Sequence, residues 1–234
     1  MSRAHFLHIV SLCLLLAGCA GPSETLPLRP RYIRVDWLGH ESFLFTSSIG
    51  KKVLTNPYGP GTTGQVFPRG LRPDLLLVST ERSDANYVDA FENSPTTFRG
   101  AMGIGINNAA GLRIHGIPTY SNPAKEGGGE MNLVFAWSLE GVRFCFLGNV
   151  EHPLTASQIQ QIGPTDVLFI PVGLPPALAD AGRKTIVAQL RPRLIVLMGR
   201  PDEVSAFASQ FPRVRRLSKP SILLSKEILP AEQL

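Results

Sequence analysis

The chain has 234 residues, 44% apolar and 18% charged, with a formal net charge of +5. That is enough for one sizeable domain with a real core and sets no expectation of a second. The positive charge is spread along the sequence, and the export signal described next puts nucleic acid out of reach, leaving anionic lipid or cell-wall polymer as the partners this balance favours.

Residues 1–18 have the layout of a secretory signal: Arg3 as a positive start, the apolar run Phe6–Ala17, and small residues at Ala17-Gly18 before Cys19. The run falls short of the about 20 apolar residues that a spanning helix needs. Leu16-Ala17-Gly18-Cys19 resembles the lipobox of bacterial lipoproteins, whose cysteine is acylated and becomes the mature N-terminus. The expectation is a protein held on a lipid bilayer through acylated Cys19, with Ala20 favouring the outer membrane and the domain facing the periplasm. A plain signal peptide with a chance cysteine is the alternative. Cleavage would leave about 216 residues, in which Cys145 is the one thiol left and has no disulfide partner.

Residues 19–31, with Pro22, Pro27 and Pro30, read as an extended tether reaching roughly 40 Å at about 3.3 Å per residue. The single domain then occupies residues 32–234. Its first half reads as short strands at Ile33–Leu38, Ser42–Thr46, Lys52–Thr55 and Asp74–Ser79, bounded by Gly39, Gly50, Pro57 and Pro73. The glycines at 100, 103 and 105 read as a loop, and Gly127–Gly129 as another. Strands follow at Leu112–Ile117, Asn132–Ser138 and Val142–Leu147, the last two joined by the turn Leu139-Glu140-Gly141. Helix then alternates with strand: helices at Thr155–Ile162, Pro175–Leu190 and Asp202–Gln210, strands at Asp166–Val172 and Leu194–Met198. Leu75–Val78 and Leu194–Met198 are apolar on both faces, as in a sheet covered on each side, so the fold class is layered α/β. Arg213, Arg215, Arg216 and Lys219 form the densest basic cluster and read as a solvated surface.

Five segments in order resemble the metallo-β-lactamase fold superfamily, in particular its lactonase-like metal-dependent hydrolases. Trp37-Leu38-Gly39-His40-Glu41-Ser42-Phe43-Leu44 resembles that family's Trp-Leu-Gly-His-x-Ser-Phe-Leu hairpin, and Leu54-Thr55-Asn56-Pro57 its Leu-Thr-Asp-Pro turn. Pro73–Ser79 is similar to the strand that delivers the His-x-His-x-Asp-His metal motif. Gly141–Asn149 is similar to the Gly-x-Arg-x-x-x-x-Gly-Asp hairpin, and Asp166–Gly173 to the buried strand after it. The resemblance runs from Ile33 to about Arg200 and implies an αββα sandwich of two mixed sheets with outer helices, the site lying at the strand ends between them.

The resemblance also places the family's metal ligands, and most are gone. A two-zinc hydrolase needs several imidazoles and carboxylates at about 2.0–2.2 Å from each ion. Here the first two histidine positions are Thr80 and Arg82, the aspartate is kept as Asp84, and the third histidine is Ala85. The later positions are Ser121, Asn149 and Gly199, and Asn56 replaces the supporting aspartate of the turn. Arg82 is a permanent cation that repels a divalent ion. It would either pair with Asp84 in the place of metal or face solvent.

Once the signal is removed, only His40, His115 and His152 remain, none in a His-x-His pair. His40 matches a family histidine not counted among the ligands and reads as structural. His115 shares a strand face with Arg113 and Ile117 and reads as partly exposed. His152 and Glu151 follow the Gly148-Asn149 strand end and would line a residual pocket. The residual cleft candidates are therefore Asp84, His152, Glu151 and His40. No Gly-x-Ser-x-Gly elbow is present, and Cys145 reads as core, without an adjacent base.

Two functions from different classes follow, and neither expects a resident cofactor by default. One is a non-catalytic binding or scaffold lipoprotein, holding an envelope protein or a small ligand at the old cleft. The other is a hydrolase of lactone or ester type, metal-free or with zinc in a site rebuilt from His152, Asp84 and a third residue. A third possibility is an envelope structural factor that uses Arg213–Lys219.

Overall fold

The computed structural model describes residues 31–120, 129–173 and 178–233. Cys19, Ser121 and Pro175 lie outside the described residues, and the helix expected from Pro175 is corrected to begin at Asp180, after the non-helical Leu178 and Ala179. The first sheet contains β1 (Ile33–Gly39), β2 (Ser42–Thr46), β3 (Lys52–Thr55), β4 (Leu75–Leu77) and β5 (Thr96–Phe98). The second contains β6 (Gly105–Ala109), β7 (Leu112–Tyr120), β8 (Met131–Leu139), β9 (Val142–Phe146), β10 (Val167–Pro171) and β11 (Leu194–Met198). The last strand, β12 (Ser221–Leu224), returns to the first sheet beside β1. Strand orders are β12-β1-β2-β3-β4-β5 and β11-β10-β9-β8-β7-β6. Both sheets are mixed, since β3, β4 and β5 run parallel in one and β9, β10 and β11 in the other.

The apolar alternation explains why the sheets face each other. Phe43 and Phe45 on β2 meet Trp137, Phe144 and Phe169 from the second sheet, with Phe43–Phe169 centroids 4.8 Å apart and Phe45–Trp137 centroids 5.1 Å apart at 88°. Such edge-to-face pairs add about 0.5–1.5 kcal/mol each beyond the area they bury. The outer face of the second sheet, with Val134, Cys145 and Ile170, is covered from helices α1 (Ala156–Ile162) and α2 (Asp180–Leu190) by Ile162 and Ile186. A third helix, α3 (Pro201–Ala208), packs beside β11. The outer face of the first sheet buries Leu44, Leu54 and Leu76 against Tyr58, Phe67 and Phe91. Among the described residues that cover comes from irregular chain and a single 3-10 turn at Val88–Ala90, so this outer layer of the sandwich is thin.

Helix α1 begins where a capping box can form: Thr155 Oγ1 accepts from Gln158 N, and the Gln158 side chain accepts from Thr155 N. Two further expectations need correction. The segment after Phe98 is not an open loop, because Gly100–Gly103 forms a 3-10 turn and Gly105 opens β6. A Cβ on Gly116 would lie 1.9 Å from Gly103 O, so the glycines serve close packing of this turn on β7. The strand expected to end at Ile117 continues to Tyr120. No helix among the described residues is long and apolar enough to cross a membrane.

Candidate functional site

The β1–β2 hairpin turns through Gly39, His40 and Glu41. His40 is held in the left-handed region at φ 49°, and its carbonyl accepts from Trp37 Nε1 at 2.9 Å. This turn sends the two side chains different ways. His40 faces the cleft, with Nε2 3.7 Å from Asp84 Oδ2, whereas Glu41 is buried at 3% exposure.

Glu41 meets Asn56 at the end of β3. Asn56 Nδ2 donates to Glu41 Oε2 at 3.0 Å and to Ser79 Oγ at 2.8 Å, while its Oδ1 accepts from Ser79 N at 2.8 Å. An aspartate at 56 would set two acceptors against each other, and the amide removes that conflict. The other Glu41 oxygen, Oε1, is buried without a partner. Burial pushes the Glu41 carboxyl above its ordinary range, against the pull of His40 and the Asn56 bond.

Arg82 and Asp84 occupy the loop after β4. Arg82 Nε and Nη2 donate to Asp84 Oδ1 and Oδ2 at 3.2 and 3.0 Å, a bidentate pair. His40 beside it, and then these two bonds, outweigh burial and hold the Asp84 carboxyl down at about 2. Burial works against the charged His40 ring, but Asp84 and Glu41 prevail, and its pKa lies above the ordinary value. Of the other positions on this loop, Thr80 is 7% exposed and Ala85 1%.

The facing wall comes from the ends of β8 and β9. Asn132 is buried and its Nδ2 donates to Thr119 Oγ1 and to Leu147 O, both at 2.9 Å, while its Oδ1 accepts from Asn149 N at 2.8 Å. Gly148 adopts φ 58° between Ser79 and Asn132, and a Cβ there would lie 2.4 Å from both side chains, so the two sheets touch at this point. The Asn149 side chain reaches Glu151 Oε1 only weakly, at 3.5 Å, and leaves Oδ1 buried without a partner. Desolvation and then the nearby Glu130 raise the Glu151 carboxyl above its ordinary range, with Arg82 opposing. His152 Nδ1 lies 2.8 Å from Pro153 O, leaving Nε2 buried and unpartnered.

Two groups therefore meet at these strand ends, with Glu41 buried beneath the first. His40, Glu41, Arg82 and Asp84 come from the first sheet, and Asn149, Glu151 and His152 from the second, with Arg82 acting through its field on Glu41, Glu130 and Glu151. Away from it, His115 Nδ1 is committed to Gln161 O at 2.9 Å. The Cys145 thiol is fully buried and pushed far up by desolvation. Arg213, Arg215, Arg216 and Lys219 are exposed.

Among the described residues no group of three or more His, Cys, Asp or Glu side chains would hold a metal ion. The donor set does not fit one, because the retained carboxylate of Asp84 has both oxygens on a guanidinium. The Gly199 position is also closed, since a Cβ there would lie 2.3 Å from Val172 O, leaving no room for a histidine.

Glu41, Asn132 and Ser79 are site residues that the sequence comparison of ligand positions passes over. Glu41 had one signal, a charge in the variable position of an otherwise apolar hairpin.

The fold and the cleft at its strand ends define a metallo-β-lactamase-type sandwich. A family model described as "Beta-lactamase superfamily domain" matches residues 34–199, and the chain belongs to this family. No curated protein matches it. The structure is similar to a candidate Zn-dependent hydrolase of the metallo-β-lactamase superfamily from Thermotoga maritima, 24% identical with a TM-score of 0.67, over 86% of this chain and 95% of that one. It is also similar to the metallo hydrolase Igni18 from Ignicoccus hospitalis, 18% identical with a TM-score of 0.55, over 83% and 99% of the two chains. The metallo-β-lactamase fold protein YhfI from Bacillus subtilis is 11% identical with a TM-score of 0.55, over 82% and 99%.

Proposed function

We propose that this chain is a lipid-anchored protein of the bacterial envelope whose metallo-β-lactamase-like domain binds a partner or small ligand without hydrolysing it. The observation that carries the proposal is the Arg82–Asp84 pair, which puts a fixed positive charge on the one retained ligand position. A guanidinium supplies charge and directed N–H bonds but no exchangeable water to activate, so the cleft keeps recognition and loses the means of hydrolysis. Acylation of Cys19 would keep the domain at the membrane, since several acyl chains at about 0.8 kcal/mol per buried methylene make a stable anchor. The metal content of the purified full chain, measured beside its turnover of a lactone and ester panel, tests this reading. Sub-stoichiometric metal and no turnover are expected. Near-stoichiometric zinc, iron or manganese that disappears with Asp84→Ala or His152→Ala would overturn it.

The second reading, a lactone or ester hydrolase on a rebuilt site, draws on the buried, unpartnered Nε2 of His152 and Oδ1 of Asn149. The same metal measurement separates the two. The anchor is tested by Cys19→Ser, which is expected to abolish acyl labelling and membrane fractionation.

A further inference from the structure

The two ends of the sandwich differ in charge. At the cleft end lie Glu81, Asp84, Glu130 and Glu151, with Asp202 and Glu203 on the first turn of α3, six carboxylates against the three cations Arg82, Arg99 and Arg200 that pair among them. The opposite end is reached by the starts of β1, β3, β9, β10 and β11 and by the chain leaving β12. There Arg143, Arg191, Arg193 and Lys226, with the carboxylates of Asp166 and Glu232 among them, surround a shallow concavity of about 770 Å³ closed on one side by Ala231, Glu232 and Gln233. Asp166 at its base is buried and bound to Arg143, with Nη2 to Oδ1 at 2.6 Å and Nε to Oδ2 at 2.8 Å. One carboxylate is thus shared by Arg143 and, at 3.9 Å, Arg193. Arg191 and Lys226 are exposed, Lys226 with Glu227 beside it, and Arg191 is in no ion pair with a carboxylate among the described residues. Arg193 also ties down the C-terminal segment by donating to Leu229 O at 2.9 Å and to Pro230 O, which fixes the basic rim in place.

The chain enters the domain at this same end. Arg31 lies 3.7 Å from Glu140, and Glu140 Oε1 accepts from Ser48 Oγ at 2.7 Å, so the last residue of the segment that follows Cys19 is joined to the turns between β2 and β3 and between β8 and β9. A tether over residues 19–31 would therefore leave the domain from its basic end, opposite the cleft.

We propose that the Arg143–Arg191–Arg193–Lys226 end is a membrane-facing surface that seats on anionic phospholipid headgroups and holds the cleft outward. The occupant follows from two observations: where the chain enters the domain, and the four basic side chains around the concavity, which outnumber Asp166 and Glu232 within it and Glu227 beside Lys226. Lysine and arginine near an anionic leaflet gain favourable energy within about a Debye length of the surface. This inference rests on the Cys19 anchor for its geometry, and its test must separate the two.

The full chain, extracted from its host membrane, is reconstituted on phosphatidylcholine vesicles and on vesicles with about one-third phosphatidylglycerol. Hydrogen exchange is then followed in 188–193 and 224–233 and, as a control, in 81–86. On anionic vesicles the first two segments are expected to exchange severalfold more slowly than on neutral ones, with 81–86 unchanged. The double change Arg191→Glu and Lys226→Glu is expected to remove that protection while the protein still sediments with both vesicle types. Equal exchange on the two vesicle types, or protection appearing in 81–86 instead, would overturn the surface while sedimentation with neutral vesicles left the anchor standing. Sedimentation with anionic vesicles alone, with 188–193 and 224–233 protected, would support the surface and remove the anchor.

Discussion

Asn56 donates its amide to Glu41 across 3.0 Å, joining two positions that the family resemblance treats separately: a turn residue changed from aspartate and a variable residue of the opening hairpin. The pair makes a buried acid tolerable but not favourable, because Glu41 Oε1 has no partner. Glu41→Gln keeps an acceptor for Asn56 and removes the charge. A group whose folded pKa is raised costs stability above that pKa, and the cost vanishes below the unfolded value. Glu41→Gln is therefore expected to stabilise the protein by about 1–2 kcal/mol at pH 8 and to make little difference near pH 4. Chemical denaturation at the two pH values reads this directly, and destabilisation at pH 8 would show that the carboxylate is used in its charged form.

Asp84 works in the opposite sense. Its folded pKa of about 2 lies below the ordinary 3.8, so the stability it contributes is complete above the ordinary value and is lost as pH falls through about 2. Asp84→Asn is expected to cost about 1–2 kcal/mol at neutral pH, after allowance for its partial exposure, and nothing at the acid limit. His40, whose pKa is raised, stabilises fully below its ordinary value and loses that contribution as pH rises through the raised one. In Asp84→Asn burial of the ring goes unopposed by that carboxylate, and the His40 titration seen by NMR is expected to move downward. An unmoved titration would mean that the contact at 3.7 Å is not felt.

Arg82→Ala leaves Asp84 beside His40 and removes the cation that acts on Glu41, Glu130 and Glu151. Cadmium or zinc uptake by the variant is expected to stay well below one equivalent, because a single aspartate and a histidine supply too few ligands. Stoichiometric uptake, measured by elemental analysis after dialysis, would identify Arg82 as a plug over a site that is otherwise intact.

Asn132 holds three strand ends together through Thr119, Leu147 and Asn149. Asn132→Ala leaves the Leu147 carbonyl and the Asn149 amide without these partners, and a loss of about 2–4 kcal/mol is expected from urea unfolding. A loss below about 1 kcal/mol would indicate that water enters and replaces the amide.

Gly199→His restores a family ligand in name. With Val172 O 2.3 Å from where its Cβ would lie, the variant is expected to be destabilised by roughly 2 kcal/mol or more and to gain no zinc.

Much of the architecture was legible because its strands are punctuated. Ser42–Thr46 and Lys52–Thr55 were bounded as observed, flanked by Gly39, Gly50 and Pro57. Three strands left no signal. Thr96–Phe98 is too short for a period, Gly105–Ala109 is built from glycine and asparagine, and Ser221–Leu224 gains its strand form from pairing with β1 across the whole chain. At the site, which side-chain types stand at the family's ligand positions could be read directly. The contacts these side chains make could not: Glu41 and Asn56 are 15 residues apart, and only the sheet brings them together. The Gly199 closure is likewise a matter of backbone placement, which no spacing reveals.

The carbonyl of Val172 beside Gly199 also limits how this end of the sheet could be redesigned. With a Cβ at 199 only 2.3 Å from that oxygen, any larger residue requires the backbone after β11 to move away from the end of β10. A single substitution at 199 therefore cannot add a side chain to this strand end without a second change that makes room for it.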